Sequence, residues 1–272
     1  MVLVATTVFN EYGYPFELAV QKLCEMGVKA VELGGYGDLF TSVKYWKLLK
    51  QVAEEYEIKI VGVYVPNNVG NPLRYISKSF TSGSDEWVNK LRSCLEMCNE
   101  IGASFLTILD GILPDGFEQE KAWRWLVETI RKGAMIAEEN RILIVDEFHI
   151  DMFTGNLETA PRLIDDVESN YFKACLDLSH ADLITDGNPE KFIITLGNRI
   201  GHVHLTDCDG TKWRITQPTH LPIGMGRIDI NHCIQTIKKM GYNGHWSLCL
   251  YGFPFPEWGI SNSLKALKQL SL

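Results

Sequence analysis

The sequence predicts an α/β fold closed as a single (β/α)8 barrel. Three observations carry that expectation. Eight short apolar, strand-like runs alternate with helix-like stretches from end to end. A helix–glycine–strand join recurs in CEMGVKAVEL, NEIGASFLTI and KKMGYNGHWSL. The 272 residues sit close to the roughly 250 typical of this barrel, so the chain is expected to form one domain over 1–272.

The elements follow in order. VLVATTVF (2–9) is read as the first strand, ahead of a helix at about 15–26. Strands KAVELG (29–34), IKIVGVYV (58–65) and SFLTIL (104–109) come next, with helices at about 42–56 and 84–101 between them. The second half gives strands ILIVDE (142–147), KACLD (173–177), IGHVHLT (200–206) and HWSLCLY (245–251). Helices are expected at about 117–139, 157–168, 189–197, 230–240 and 258–270. Strands this rich in Val, Ile, Leu and Phe suit a parallel sheet covered by helices. In 84–101, Trp87, Val88, Leu91, Cys94, Leu95, Cys98 and Ile101 recur every three or four residues and form one apolar face. Gly102 supplies the positive φ that ends it. An open doubly wound sheet is the alternative, but no G-x-G-x-x-G follows the first strand.

Composition excludes several classes. A net charge of −8 argues against a nucleic-acid binder, which must neutralise phosphates with Lys and Arg. No apolar run reaches the ~20 residues of a membrane span. Seven cysteines without a C-x-x-C pair, and no basic leader before the apolar start, predict free thiols in the cytoplasm. Cys94 and Cys98 are expected to be buried as small hydrophobes.

The residues with chemistry lie at strand ends. Side chains alternate along a strand, so Glu147 shares a face with Leu143 and Val145, Asp177 with Lys173 and Cys175, His204 with His202, and Cys249 with Ser247 and Tyr251. If those faces look into a barrel, Glu147, Asp177, His204 and Cys249 meet at its C-terminal mouth. Carboxylates and imidazole suit a divalent cation: Mn, Mg, Co or Zn. Each residue also has a plainer reading, with Asp177 as a helix cap and His202 and His204 as core histidines. His180 stands just past the sixth strand, placed for a substrate oxygen. His149 is divided between rim packing and substrate contact. His220 and His232 are expected to be solvated, and Glu32 and Asp110 to form structural salt bridges.

These segments resemble the xylose isomerase-like TIM-barrel superfamily of sugar phosphate isomerases and epimerases, and within it the ketose 3-epimerases. The resemblance rests on the D-x-x-H of Asp177 to His180, the G-H-x-H of Gly201 to His204, and the loop Pro222-Ile223-Gly224-Met225-Gly226. It implies one divalent ion held by Glu147, Asp177, His204 and the eighth-strand position, with His180 on substrate oxygens. Two positions depart from the pattern. Residue 249 is Cys where the family has Glu, and Met225 stands where an acidic residue is common.

Cys249 decides the chemistry expected. A thiolate ligand would favour Zn, but a metal-bound thiolate is a poor proton shuttle. Two-base epimerisation then suffers, while proton transfer on one face by Glu147 survives. The expected function is a divalent-metal-dependent isomerase or epimerase of a small sugar, sugar phosphate or keto-polyol, with Glu147, His180 and Cys249 as catalytic candidates. A dehydratase of a keto-inositol or dehydroshikimate type is the second reading, and a catalytically silent sugar-binding relative the third. An abasic-site endonuclease is the least favoured. The partner expected is a small molecule, with neither nucleic acid nor membrane; a homo-oligomer is left open. Phe9, Trp213 and Phe253 are candidates to pack on a sugar face, with core or loop packing the equal alternative. Lys212, Arg214 and Arg227 are candidates for a phosphate, with ordinary surface charge the alternative.

Overall fold

The computed structural model describes residues 1–34, 43–65, 70–76, 80–212 and 217–270. Trp213 and Arg214 lie outside the described residues. The strands are β1 (Val2–Ala5), β2 (Ala30–Gly34), β3 (Lys59–Tyr64), β4 (Phe105–Ile108), β5 (Leu143–Glu147), β6 (Phe172–Asp177), β7 (Ile200–Leu205) and β8 (Trp246–Leu248). Each pairs in parallel with the next and β8 returns to β1, so the sheet is a closed eight-stranded barrel. The helices are α1 (Thr7–Asn10), α2 (Phe16–Glu25), α3 (Val43–Glu55), α4 (Phe80–Ile101), α5 (Gln119–Asn140), α6 (Thr159–Val167), α7 (Leu178–Ile184), α8 (Pro189–Leu196), α9 (Ile230–Lys239) and α10 (Pro256–Gln269). Among the described residues no helix is long and apolar enough to cross a membrane.

The recurring glycine joins behave as their sequence indicates. Gly27, Gly102 and Gly241 all take positive φ within two residues of the ends of helices α2, α4 and α9. Cys94 and Cys98 are buried against the barrel in α4. One stretch differs from expectation, and the helix-cap reading of Asp177 holds. The first strand ends at Ala5, because Thr6 turns the chain: its Oγ1 accepts from Gly34 N at 2.9 Å and donates to Gly34 O at 3.2 Å. Residues 7–10 then wind into α1, not into more strand. The segment after Asp177 forms a helix of its own, α7, started by the Asp177 carboxylate.

Alternation sorts the side chains into two cores. Outward residues such as Val4, Val31, Leu176, Val203 and Leu248 pack under the helices. Leu3, Ala30, Phe105, Val145 and Cys175 fill the barrel interior. Phe105 fits there because Gly62 faces it: a Cβ on Gly62 would stand 2.0 Å from the ring. Above Phe105 lies His202, with ring centroids 4.1 Å apart. The interior therefore turns from apolar to polar as it rises toward the strand C-termini.

Candidate metal centre

Glu147 ends β5, Asp177 ends β6, and His204 is the last inward residue of β7. Cys249 follows β8 directly, and its N–H donates to Leu205 O at 3.0 Å, so it keeps the register of the ladder. All four are at least 93% buried, since their exposures run from 1% to 7%. A cavity of about 300 Å³ opens over this end of the barrel, lined among others by Tyr64, Glu147, His180, His204, His220 and Cys249. That volume is in the range of small-molecule sites.

A chain of buried polar contacts crosses the mouth. His204 Nδ1 lies 2.5 Å from Glu147 Oε1 and its Nε2 lies 3.0 Å from Glu32 Oε2. Glu147 Oε2 meets His149 Nε2 at 2.8 Å and accepts from the Tyr64 hydroxyl at 3.1 Å. Glu32 also meets His202 Nε2 at 3.2 Å and accepts from Thr107 Oγ1 at 2.7 Å, and His202 reaches Ser247 Oγ at 3.0 Å. Buried charge is costly unless paired, and these pairings are what permit it. Burial alone would raise Glu32 and Glu147, but the neighbouring imidazoles outweigh it and hold both carboxyls well below their usual range. For His204, burial opposes the charge, while Cys175, Glu32 and Glu147 overcome it and raise the ring well above an ordinary imidazole. Two ionised carboxylates at its two nitrogens require a proton on each, so metal-free His204 is an imidazolium. Burial, with Glu147 and Cys249 nearby, raises Tyr64 and keeps it a hydrogen-bond donor.

Asp177 serves two ends. Its Oδ1 accepts from Ser179 N at 2.8 Å, Ser179 Oγ at 2.6 Å and His180 N at 3.1 Å, and so caps α7. Its Oδ2 is buried with no hydrogen-bond partner, a costly condition for a carboxylate oxygen. That oxygen lies 3.9 Å from His204 Nδ1. Tetrahedral ligands about 2.1 Å from an ion stand roughly 3.4 Å apart, so the gap is close to one that an ion spans. Asp177, His204 and Cys249 form a group whose ligand atoms are within 4.8 Å of one another. The donor set of Asp177, His204 and Cys249 therefore fits a divalent ion, and Glu147 stands against His204.

Cys249 is a neutral thiol in this setting: burial pushes it up, and Asp177, Glu147 and Glu32 add to the rise against His204. It becomes a thiolate only with a cation beside it.

Several expectations need correction. His220 is not solvated; it is 6% exposed and lines the cavity. The mutual backbone bonds of Asp207 and Leu221 hold the residue next to His220 just beyond the end of β7 and carry His220 inward. Glu32 does form the expected ion pair, but with His204 and not with a Lys or Arg among the described residues, so it belongs to the polar chain at the mouth. Asp110 forms no salt bridge among the described residues either; it accepts from Thr154 N at 3.1 Å, and burial pushes it up to about 7. Phe9 is fully buried with its ring tilted against Tyr14, and Phe253 packs beside Phe255 and Trp258; neither lines the cavity, so the packing alternative holds for both. Arg227 pairs with Asp182 at 2.7 Å. His232 stays solvated and meets Glu190 at 2.8 Å. His149 is 2% exposed and its ring stacks on His180 at 3.6 Å.

Glu32 meets the same criterion that picks out Glu147: an acid on the inward face near the end of an apolar strand. Evenly applied, that signal finds it. His220 has no comparable signal in the linear sequence.

The fold and site define a barrel with a polar, ligand-rich C-terminal mouth, and comparison with known proteins places it. A family model described as xylose isomerase-like TIM barrel matches residues 20–270, and the chain belongs to that family. It is 26% identical over 245 residues to an uncharacterized protein of Methanocaldococcus jannaschii, covering 83% of this chain and 76% of the relative. The crystal structure of a D-tagatose 3-epimerase-like protein is similar, with a TM-score of 0.81, 24% identity, and coverage of 99% of this chain and 96% of that one. A structure of the IOLI protein with a binding zinc atom has a TM-score of 0.77 at 16% identity, covering 99% of this chain and 97% of the other.

Proposed function

We propose that the chain is a divalent-metal-dependent isomerase or epimerase of a small sugar or keto-polyol. The observation that carries this reading is the buried group of Asp177, His204 and Cys249, with Asp177 Oδ2 unpartnered, beside a cavity that Glu147, His204 and Cys249 line. These four would hold the ion. When bound, it would draw electrons from a substrate carbonyl and make the adjacent C–H more acidic. Similarity to an epimerase-like fold and to a zinc-containing relative supports the same reading.

The chain's own groups do the rest. Glu147, ionised at neutral pH, takes the proton next to the carbonyl. Its depressed basicity makes it a weak base, so the reaction depends on an acidified substrate. Tyr64 and His149, both on Glu147 Oε2, fix its orientation and steady its charge. Imidazoles, amides and a phenol along the cavity wall suit sugar hydroxyls, with His180 among them. Cys249 is a neutral thiol without the ion, and as a thiolate held by the ion it would be a poor proton shuttle. Transfer on one face by Glu147, as in aldose–ketose interconversion, therefore fits this site better than a two-base inversion.

The test pairs the chain with Cys249→Glu, each loaded with Mn²⁺, Co²⁺ or Zn²⁺ and incubated with a panel of ketoses and keto-polyols. Turnover to an isomer, with 3-epimerisation gained or raised in Cys249→Glu, is expected. An ultraviolet-absorbing enone product would move the chain to the dehydratases. Metal binding and product profile both unaffected by the substitution would remove residue 249 from the site.

A further inference from the structure

The structure assigns Asn71 as a specificity-determining residue: a fixed amide donor for a substrate hydroxyl remote from the carbonyl. This inference rests on the reading above and deepens it, because it says which end of a ketose the far wall of the cavity recognises.

Asn71 opens the run Asn71-Pro72-Leu73-Arg74-Tyr75, in which Pro72–Tyr75 form a short 3-10 helix. Asparagine is a strong N-cap and proline suits the first helical position. Asn71 Oδ1 accepts from Arg74 N at 3.2 Å. A backbone N–H needs an acceptor, so the cap fixes which end of the amide is oxygen, and the NH2 is the end left over. Among the described residues that NH2 has no hydrogen-bond partner. The side chain lines the cavity, so its donor is presented to whatever fills it.

The mount is rigid. Leu109 N donates to Gly70 O at 2.7 Å and Leu73 N to Asp110 O at 3.3 Å, which ties both sides of Asn71 to the end of β4. Pro72, Leu73 and Tyr75 are buried, and the Tyr75 hydroxyl accepts from Lys90 Nζ of α4 at 3.0 Å. Gly111 makes room for the amide. It takes φ +103°, and a Cβ there would stand 1.9 Å from Asn71 Oδ1 and 2.6 Å from Nδ2.

The barrel sets what this donor meets. Asn71 follows β3, and in a closed ring of eight strands β3 lies across from β7. Asp177, His204 and Cys249 stand at the ends of β6, β7 and β8. A carbonyl held at that group directs the other end of a ketose toward Asn71. An N–H donor there is satisfied by a hydroxyl oxygen and left unpaired by a methylene. The amide therefore separates a ketose from its deoxy analogue at one carbon, through binding and not through proton transfer.

The experiment compares Mn²⁺-loaded wild type with Asn71→Ser. Serine keeps an oxygen for the Arg74 N–H and removes the NH2, so the cap is retained; circular dichroism verifies the fold, and Asn71→Thr replaces it if Asn71→Ser does not fold. D-tagatose, D-psicose and D-fructose, each with its 4-, 5- and 6-deoxy analogues, are titrated by calorimetry and followed for hydrogen exchange. Asn71→Ser is expected to weaken binding of at least one ketose by about 3–10-fold, the size of one neutral hydrogen bond, and to raise KM more than it lowers kcat. One deoxy analogue of that ketose is expected to bind both proteins equally, because the oxygen that the amide held is gone. An unchanged Kd would overturn the assignment. So would a loss of equal size on the ketose and all its analogues, which is what a merely structural role gives. Binding without exchange in wild type would overturn Glu147 as the base and leave Asn71 to be decided by Kd. No binding of any ketose by the loaded wild type would overturn both.

Discussion

Replacing Glu32 by Gln removes one charge from the buried chain at the barrel mouth and keeps its shape. Glu32 is 1% exposed and holds His204 Nε2 at 3.0 Å. In that arrangement Nε2 carries a proton and Nδ1 is the nitrogen that faces Asp177. A Gln amide nitrogen in the same place would offer a donor, and His204 would answer by moving its proton to Nδ1. The lone pair would then point away from the metal. A hydrogen bond to a charged group contributes about 1.5–3 kcal/mol, or roughly 10–150-fold in an equilibrium constant. Outer partners of metal-bound histidines typically cost about 10–100-fold when lost, so the two estimates agree. Glu32→Gln is expected to weaken zinc binding by about 10–100-fold, read by competition against a fluorescent chelator at pH 7. Affinity within twofold of wild type, in a variant with an unchanged far-ultraviolet spectrum, would show that Glu32 does not orient His204.

Three further outcomes are expected. Because His204 is raised well above an ordinary imidazole and Cys249 is a thiol without the ion, zinc uptake must displace a proton from each; proton release in weak buffer and a zinc affinity that climbs with pH between 6 and 8 are expected, at up to about a hundredfold per unit, and a flat profile would contradict it. Asp110, pushed by burial up to about 7 from 3.8, lowers stability at every pH above its folded value, because the unfolded carboxyl ionises more readily. That loss is absent below the unfolded value, so Asp110→Asn should stabilise the protein at pH 8, by at most about 4 kcal/mol, with the gain vanishing near pH 4; urea melts at the two pH values read it, and equal gains at both would refute the cause. Gly62→Ala sets a methyl against the Phe105 ring and is expected to cost about 1–3 kcal/mol in a urea melt, whereas an unchanged midpoint would mean that the interior relaxes freely.

The barrel was legible because it is written in local patterns. Near-continuous apolar runs mark the strands, and the positive-φ glycines after α2, α4 and α9 mark where each helix turns back. Glu147, Asp177 and His204 were legible by the same alternation, which fixes the face a side chain takes. The cap and ligand readings of Asp177 are compatible, since its two oxygens do different work. What escaped depends on contacts between distant segments. Thr6 ends β1 by bonding Gly34, 28 residues away. Glu32 meets His204 across 172 positions. His220 lies in a loop whose inward fold is set by Asp207, and no periodicity reports it.

The most direct measurement of a proton-abstracting metal site is hydrogen exchange on substrate candidates. The Mn²⁺-loaded protein is incubated in deuterium oxide with small ketoses and keto-polyols, and the C–H positions next to the carbonyl are followed by nuclear magnetic resonance. At least one compound is expected to take up deuterium there, with uptake abolished by Glu147→Gln and by chelation. Exchange that persists in Glu147→Gln, or that is absent throughout the panel in a protein shown to bind its metal, would contradict Glu147 as the base of a metal-dependent isomerase.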